Sequence, residues 1–368
     1  MVCRQGDEAR RAPGRTINDT HRGSQVEQRA HSWIAIRAIA LLEDEGTQKN
    51  LVSLLKPHAG KASVGAWIPD QTDAKRGDAG SKTDNHILKI KPYGGKQGDR
   101  FAVNKDASLE RIGQHRKTAA FLRRDTSLDV NWWAAPYKGA VPKPGQHLPN
   151  RVMALGTMLK DLLLVGDQRI DALIPGEIKF CKYMELDQRT REEAAAMYFL
   201  MLSHFVADVC MPCHCDARKL SAYSSGLHQE LEDHWEKIVG AGFERATLLG
   251  DNADCDQILQ RARTIDNGFG LDFSGVQIPG FHKDHDAWLE TMFLCRASFA
   301  VASIIAPCKT YAYGDTKARA PFETVLGSGH EKLLADVDEA VMHDAVLNTA
   351  IVWKDTWTKV CATPPRGQ

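Results

Sequence analysis

Between Met197 and Cys210 the chain is apolar enough for a helix buried on every side, yet it carries His204 and Asp208 within that stretch. Burying an imidazole and a carboxylate is costly unless something satisfies them. The two residues are four positions apart, so they project from adjacent turns of one helical face. Pro212 lacks a backbone N–H and ends that helix just before His214. A second helical segment, Leu227 to Val239, repeats the pattern with His228 and Glu232 at spacing four, and Trp235 continues the same side. Glu230 and His234 have the same spacing and face only slightly away, so periodicity alone leaves that pair open. For His204 and Asp208 taken alone, a buried His–Asp hydrogen bond accounts for the pattern. Adding His214, His228 and Glu232 points instead to a multinuclear metal site. Nitrogen and carboxylate oxygen suit zinc, and bridging carboxylates let several ions share one pocket.

The surrounding sequence reads as helix after helix. Apolar periodicity predicts helices at about His31–Glu43, Leu51–Leu55, Asn150–Leu164, 226–240, 254–264, 284–306 and 329–357. Thr190-Arg191-Glu192-Glu193 is a capping-box start for the helix that carries His204. Gly65, Pro69, Asp70, Asp73 and Gly77 mark a loop. Sustained alternating strands are absent, so the predicted class is all-α. Residues 1–28 lack periodicity and read as a disordered leader. That leaves 29–360 as a single helical domain, broken by a long irregular insertion at about 90–150 with one plausible helix from Ser108 to Arg124. Between Lys89 and Arg124 there are ten Lys or Arg against three Asp or Glu. Such a stretch is either a solvated loop or a surface that steers a phosphate-bearing ligand. Trp132 and Trp133 read as buried anchors of the insertion.

Composition removes several classes. Lys plus Arg equals Asp plus Glu at 47 each, which leaves no global field to attract polyanions. No apolar run reaches the ~18 uninterrupted residues of a membrane span. The first thirty residues hold no apolar core of a secretory signal, so the literal expectation is cytoplasmic. Cys210, Cys213 and Cys215 cluster beside His214, but thiolate zinc sites normally pair two such clusters, and the other six cysteines are isolated. Reduced structural cysteine is the better reading. His330-Glu331 is followed by Leu334 where a zinc-protease helix needs histidine, and neither a phosphate-cradling glycine loop nor a nucleophile elbow is present.

The order His204-x3-Asp208-x3-Pro212-x-His214, then Leu227-His228-x3-Glu232, resembles the ligand core of the trinuclear zinc phosphodiesterases, which comprise bacterial zinc-dependent phospholipase C and the single-strand-specific zinc nucleases. The segment from His31 to Ile39 is similar to the helix bearing that family's first histidine ligand. Gly65 to Asp70 and then His86 look like its loop aspartate and following histidine. Val341 to Ala345, with Thr349, Ala350 and Trp353, resembles its closing helix. The resemblance implies one zinc on Asp70, His86, His204 and Asp208, a second on His214, His228 and Glu232, and a third on His31 with Asp208 as bridge. In the family the third ion is completed by an N-terminal tryptophan. Here thirty residues precede His31 and none is tryptophan, so processing to a new terminus or a group such as His21 would have to substitute.

The expected activity is hydrolysis of a phosphodiester by metal-activated water, with Asp70 orienting or deprotonating that water. A phospholipid headgroup is the first candidate substrate, because Glu232 rather than aspartate resembles the phospholipase branch. Single-stranded nucleic acid is the second. The third reading is a zinc-stabilised binding protein with weakened catalysis. Members of the family are usually exported, which gives secretion as the alternative location.

Overall fold

The computed structural model describes residues 28–69, 86, 88, 148–164, 191–216, 227–250, 254–282, 285–305 and 331–362. The expectations for the leader, Asp70, the basic stretch and its helix from Ser108, Trp132, Trp133 and the Thr190 cap lie outside the described residues.

The described fold is all-α. In chain order its helices are α1 (Gln28–Glu45), α2 (Lys49–Leu55), α3 (Ala62–Gly65), α4 (Leu148–Leu164), α5 (Arg191–Cys210), α6 (Pro212–Cys215), α7 (Leu227–Val239), α8 (Arg245–Leu248), α9 (Cys255–Phe269), α10 (Ala287–Ile305) and α11 (Glu331–Ala362). Short 3₁₀ segments at Lys56–Lys61 and Ala241–Phe243 join α2 to α3 and α7 to α8. The helix α4 starts two residues earlier than its apolar period suggests. Leu148 and Pro149 are buried, and proline is tolerated in a first helical turn because its missing N–H has no intrahelical partner there.

Helix α5 is the centre of the molecule and packs against α4, α10, α11 and α1. It is long and apolar enough to cross a membrane, but 89% of that stretch is buried against the other helices, so its apolarity serves the core. Glu192 and Glu193 in its first turn complement the positive end of the helix dipole. Trp353 of α11 is fully buried on Phe199 of α5, and its indole N–H donates to the Phe199 carbonyl at 2.8 Å.

On the other side, α1 docks on α9 and α11. Trp33 donates to the Ala262 carbonyl at 3.0 Å, and buried Arg37 makes a two-pronged pair with Asp266 while its guanidinium lies over Phe273. The two ends of α9 are cleanly stopped. Asp254 accepts from the Asp256 N–H at the start, and Gly270, in the left-handed region at φ 69°, caps the end.

Gly65 departs from the loop that its sequence context suggests. It ends the short helix α3, and a Cβ there would lie 2.4 Å from Cβ of Leu200 on α5. The residue is glycine because α3 must approach α5 closely, which a turn signal does not announce.

Candidate metal centre

The two ligand-type pairs read from the sequence stand on their helices as spaced. His204 and Asp208 point from the C-terminal half of α5, 1% and 3% exposed. The helix breaks at Met211, whose extended backbone leads into Pro212 at the first position of α6. The proline therefore does more than end α5, because it opens the single turn that presents His214. The Leu88 N–H donates to the His214 carbonyl at 3.2 Å and so lays the His86 segment against α6. His31 enters from the first turn of α1, and His228 and Glu232 enter from α7.

Seven of the eight residues expected at the site converge, and the eighth, Asp70, lies outside the described residues. Asp208 is the hub. Its Oδ2 lies 2.6 Å from His86 Nδ1 and 3.1 Å from His204 Nε2, while its Oδ1 lies 3.4 Å from His214 Nδ1 and 3.8 Å from His31 Nε2. Each oxygen thus faces its own pair of imidazoles. His86 Nδ1 and His204 Nε2 are themselves 3.0 Å apart, and the rings of His31 and His204 stack at 4.3 Å. In the second group, His228 Nε2 lies 2.9 Å from His214 Nε2 and 2.7 Å from Glu232 Oε1.

Protons alone serve this arrangement poorly. A ring nitrogen offers one N–H or one lone pair, yet His228 Nε2 is approached by two groups at hydrogen-bond distance, as is His86 Nδ1. Clustered nitrogen and carboxylate donors about 3 Å apart match the separations of ligands arranged around one cation. Two triads, His31–His204–Asp208 and His214–His228–Glu232, each bring their donor atoms within 4.8 Å of one another, close enough to hold a metal ion. Full burial pushes the Asp208 carboxyl up, but His204, His86 and His214 outweigh it and hold Asp208 well below the usual carboxylate range. An anion surrounded by imidazoles suits a divalent cation.

The structure also separates the two pairs that periodicity left open. His234 turns away from the triads and lies 2.7 Å from Asp338 Oδ2 on α11, whose Oδ1 accepts from the Trp235 indole at 2.7 Å. The cysteines beside His214 stay out of both triads. Cys210, Cys213 and Cys215 are buried in the hydrophobic core, and burial pushes the Cys210 thiol well above its ordinary value.

A cavity beside the triads is lined by His31 and Asp208 of one and Glu232 of the other, together with Met211 and Trp235. Glu236 lines it too, a residue that the sequence reading passed over. Its one signal was its spacing of four from Glu232, on the apolar side of α7 with Leu231, Trp235 and Val239. Burial pushes its carboxyl up to about 8, although the backbone N–H groups of Ala30 and Arg29 and the Arg29 charge pull the other way. Comparison of the chain with protein-family models, with curated proteins and with solved structures returns no match.

Proposed function

We propose that the chain is a zinc-dependent phosphodiester hydrolase of the phospholipase C and single-strand nuclease type. The observation that supports this most is the meeting of His31, His86, His204, Asp208, His214, His228 and Glu232 in neighbouring groups, beside a cavity that His31, Asp208 and Glu232 line, in the chain order of that family's ligands. In this reading His86, His204 and Asp208, with Asp70, hold one ion. His214, His228 and Glu232 would hold a second, and His31 with Asp208 would supply part of a third. Zinc held there supplies charge neutralisation of the phosphodiester and a lowered pKa for water.

The rest is the work of the side chains. Asp208, kept ionised among imidazoles, fixes the spacing of the donor groups by facing a different pair with each oxygen. The buried donors stay desolvated, which strengthens their electrostatic pull on an anionic substrate. His228, His31 and Glu232 are the more exposed donors, at 29%, 19% and 18%, and substrate would reach the ions from their side. Met211 and Trp235 keep bulk water from the cavity wall. Asp70 is the proposed base that orients the attacking water.

The test is elemental analysis of purified protein together with turnover of bis-p-nitrophenyl phosphate before and after chelation. Two or three zincs per chain and activity that returns with zinc support the reading, whereas protein without bound metal overturns it. Loss of turnover in Asp70→Asn with metal content retained would identify the base. Phosphatidylcholine vesicles and single-stranded DNA, assayed side by side, decide the substrate. Protein that binds zinc and melts higher with it but hydrolyses none of the three is the zinc-stabilised binding protein instead.

A further inference from the structure

We propose that Glu236 is a positioning residue that sets His31 in the metal centre, an inference that rests on the metal-binding reading above. The first turn of a helix has backbone N–H groups with no intrahelical acceptor, and such a turn frays unless something takes them. In α1 that acceptor comes from another helix. Glu236 Oε1 accepts from the Ala30 N–H at 2.7 Å and Oε2 from the Arg29 N–H at 3.2 Å, with the Arg29 guanidinium 3.3 Å away. The side chain is 2% exposed, a costly place for a carboxyl unless its bonds hold something that matters.

What they hold is the residue next to His31. Glu236 stands one helical turn beyond Glu232 on α7, and Ala30 immediately precedes His31 on α1. One carboxyl group therefore ties the helix that carries His228 and Glu232 to the turn that carries the first donor of the other triad. His31 is the member of its triad that sits at a helix end, while His204 and Asp208 lie inside α5. Its Nε2 is 3.8 Å from Asp208 Oδ1, the longest of the separations around that carboxylate, so its alignment is the one most sensitive to a shift of α1. Releasing the first turn of α1 withdraws the His31 donor and leaves the triad on α6 and α7 in place. Groups that orient metal ligands commonly change affinity by about 10 to 100-fold, which sets the size of effect to look for.

A helix cap that only stabilises the fold would lower affinity whether or not His31 is present. A positioning residue acts through His31 and loses its effect when that ring is gone. Co²⁺ titrations followed by visible absorption, on wild type, Glu236→Ala, His31→Ala and the double variant, separate the two. Glu236→Ala is expected to weaken one Co²⁺ by roughly tenfold or more, with the double variant no weaker than His31→Ala alone. Unchanged affinity in Glu236→Ala, or two losses that multiply, overturns the proposal. If Glu236→Ala does not fold, Glu236→Leu, which fills the space and offers no acceptor, takes its place in the same cycle under the same criterion. Wild type that binds no Co²⁺ overturns the metal centre itself, whereas binding with multiplicative losses overturns only the role of Glu236.

Discussion

Asp208 Oδ2 lies 2.6 Å from His86 Nδ1 although 122 positions separate the two residues in the chain. The contact joins the core of α5 to a segment that is fastened by the Leu88 N–H to the His214 carbonyl. A buried carboxylate thus receives imidazoles from α1, α5, α6 and the His86 segment at once. Convergence of this kind binds distant parts of the chain through one side chain, which makes Asp208 the position where the site is most easily dismantled.

Asp208→Asn keeps the shape and removes the charge. An amide puts an N–H₂ where one carboxylate oxygen stood, so one of the two imidazole pairs loses its acceptor and the other keeps only a neutral one. Zinc content of the purified variant is expected to fall by at least one ion per chain, with affinity reduced by more than the ~10 to 100-fold typical of outer-shell changes. Elemental analysis and a competitive chelator titration read the effect. Wild-type zinc content in this variant would remove Asp208 from the ligand set.

Gly65→Ala tests the packing that carries the site. The added methyl would meet Cβ of Leu200 at 2.4 Å on a helix that is held on several sides. Overpacking of this kind costs about 1–3 kcal/mol. Urea unfolding of the metal-free protein should show that loss, and a variant as stable as wild type would mean that α3 can move away from α5 at no cost.

The parts of this architecture that were legible in the sequence are those encoded locally. His204 with Asp208, and His228 with Glu232, announce themselves because both members of each pair sit on one helix, where spacing fixes direction. Helix bodies were readable for the same reason, with ends shifted by a few residues, as at Leu148 and Gln28. Contacts set by tertiary structure were not readable from spacing, and His31 and His86 entered the expected site only through the family resemblance. Glu230 and His234 match the period as well as the ligand pair does, and only Asp338, 104 positions further on, takes His234 out of contention. Glu236 looks like one more acid on an amphipathic helix until α1 is laid against it. Gly65 carries the letter of a turn while performing a packing role, since composition records that a side chain is missing and not what fills its place.

Glu236 also gives the protein a pH dependence with a definite sign. Its carboxyl titrates near 4.5 when solvated and is pushed up to about 8 by burial in the fold. Below the lower value both states hold the proton and no penalty arises. Between the two values the unfolded chain has released its proton and the folded chain retains it, so stability falls as pH rises. Each unit of separation is worth about 1.36 kcal/mol. Glu236→Gln keeps an acceptor oxygen for the α1 turn and cannot titrate. Measured with chelator present, its stability relative to wild type should rise from about pH 5 to about pH 8. A difference between the two proteins that stays constant over that range contradicts the assignment.

Zinc removal should cost stability through the same side chains that hold it. A ligand that binds only the folded state at 100 times its Kd adds about 2.7 kcal/mol. Melting temperature is therefore expected to rise with zinc and to fall back on adding chelator. Asp208→Asn and Glu232→Gln should each shrink that increment. His234→Ala should lower the baseline, because it leaves buried Asp338 with only the Trp235 indole of the two partners described, and yet keep the full zinc increment. An equal zinc increment in wild type and Asp208→Asn would place the bound ion somewhere other than the triads. An increment lost in His234→Ala would return the choice to the Glu230–His234 pair, which the helical period alone could not dismiss.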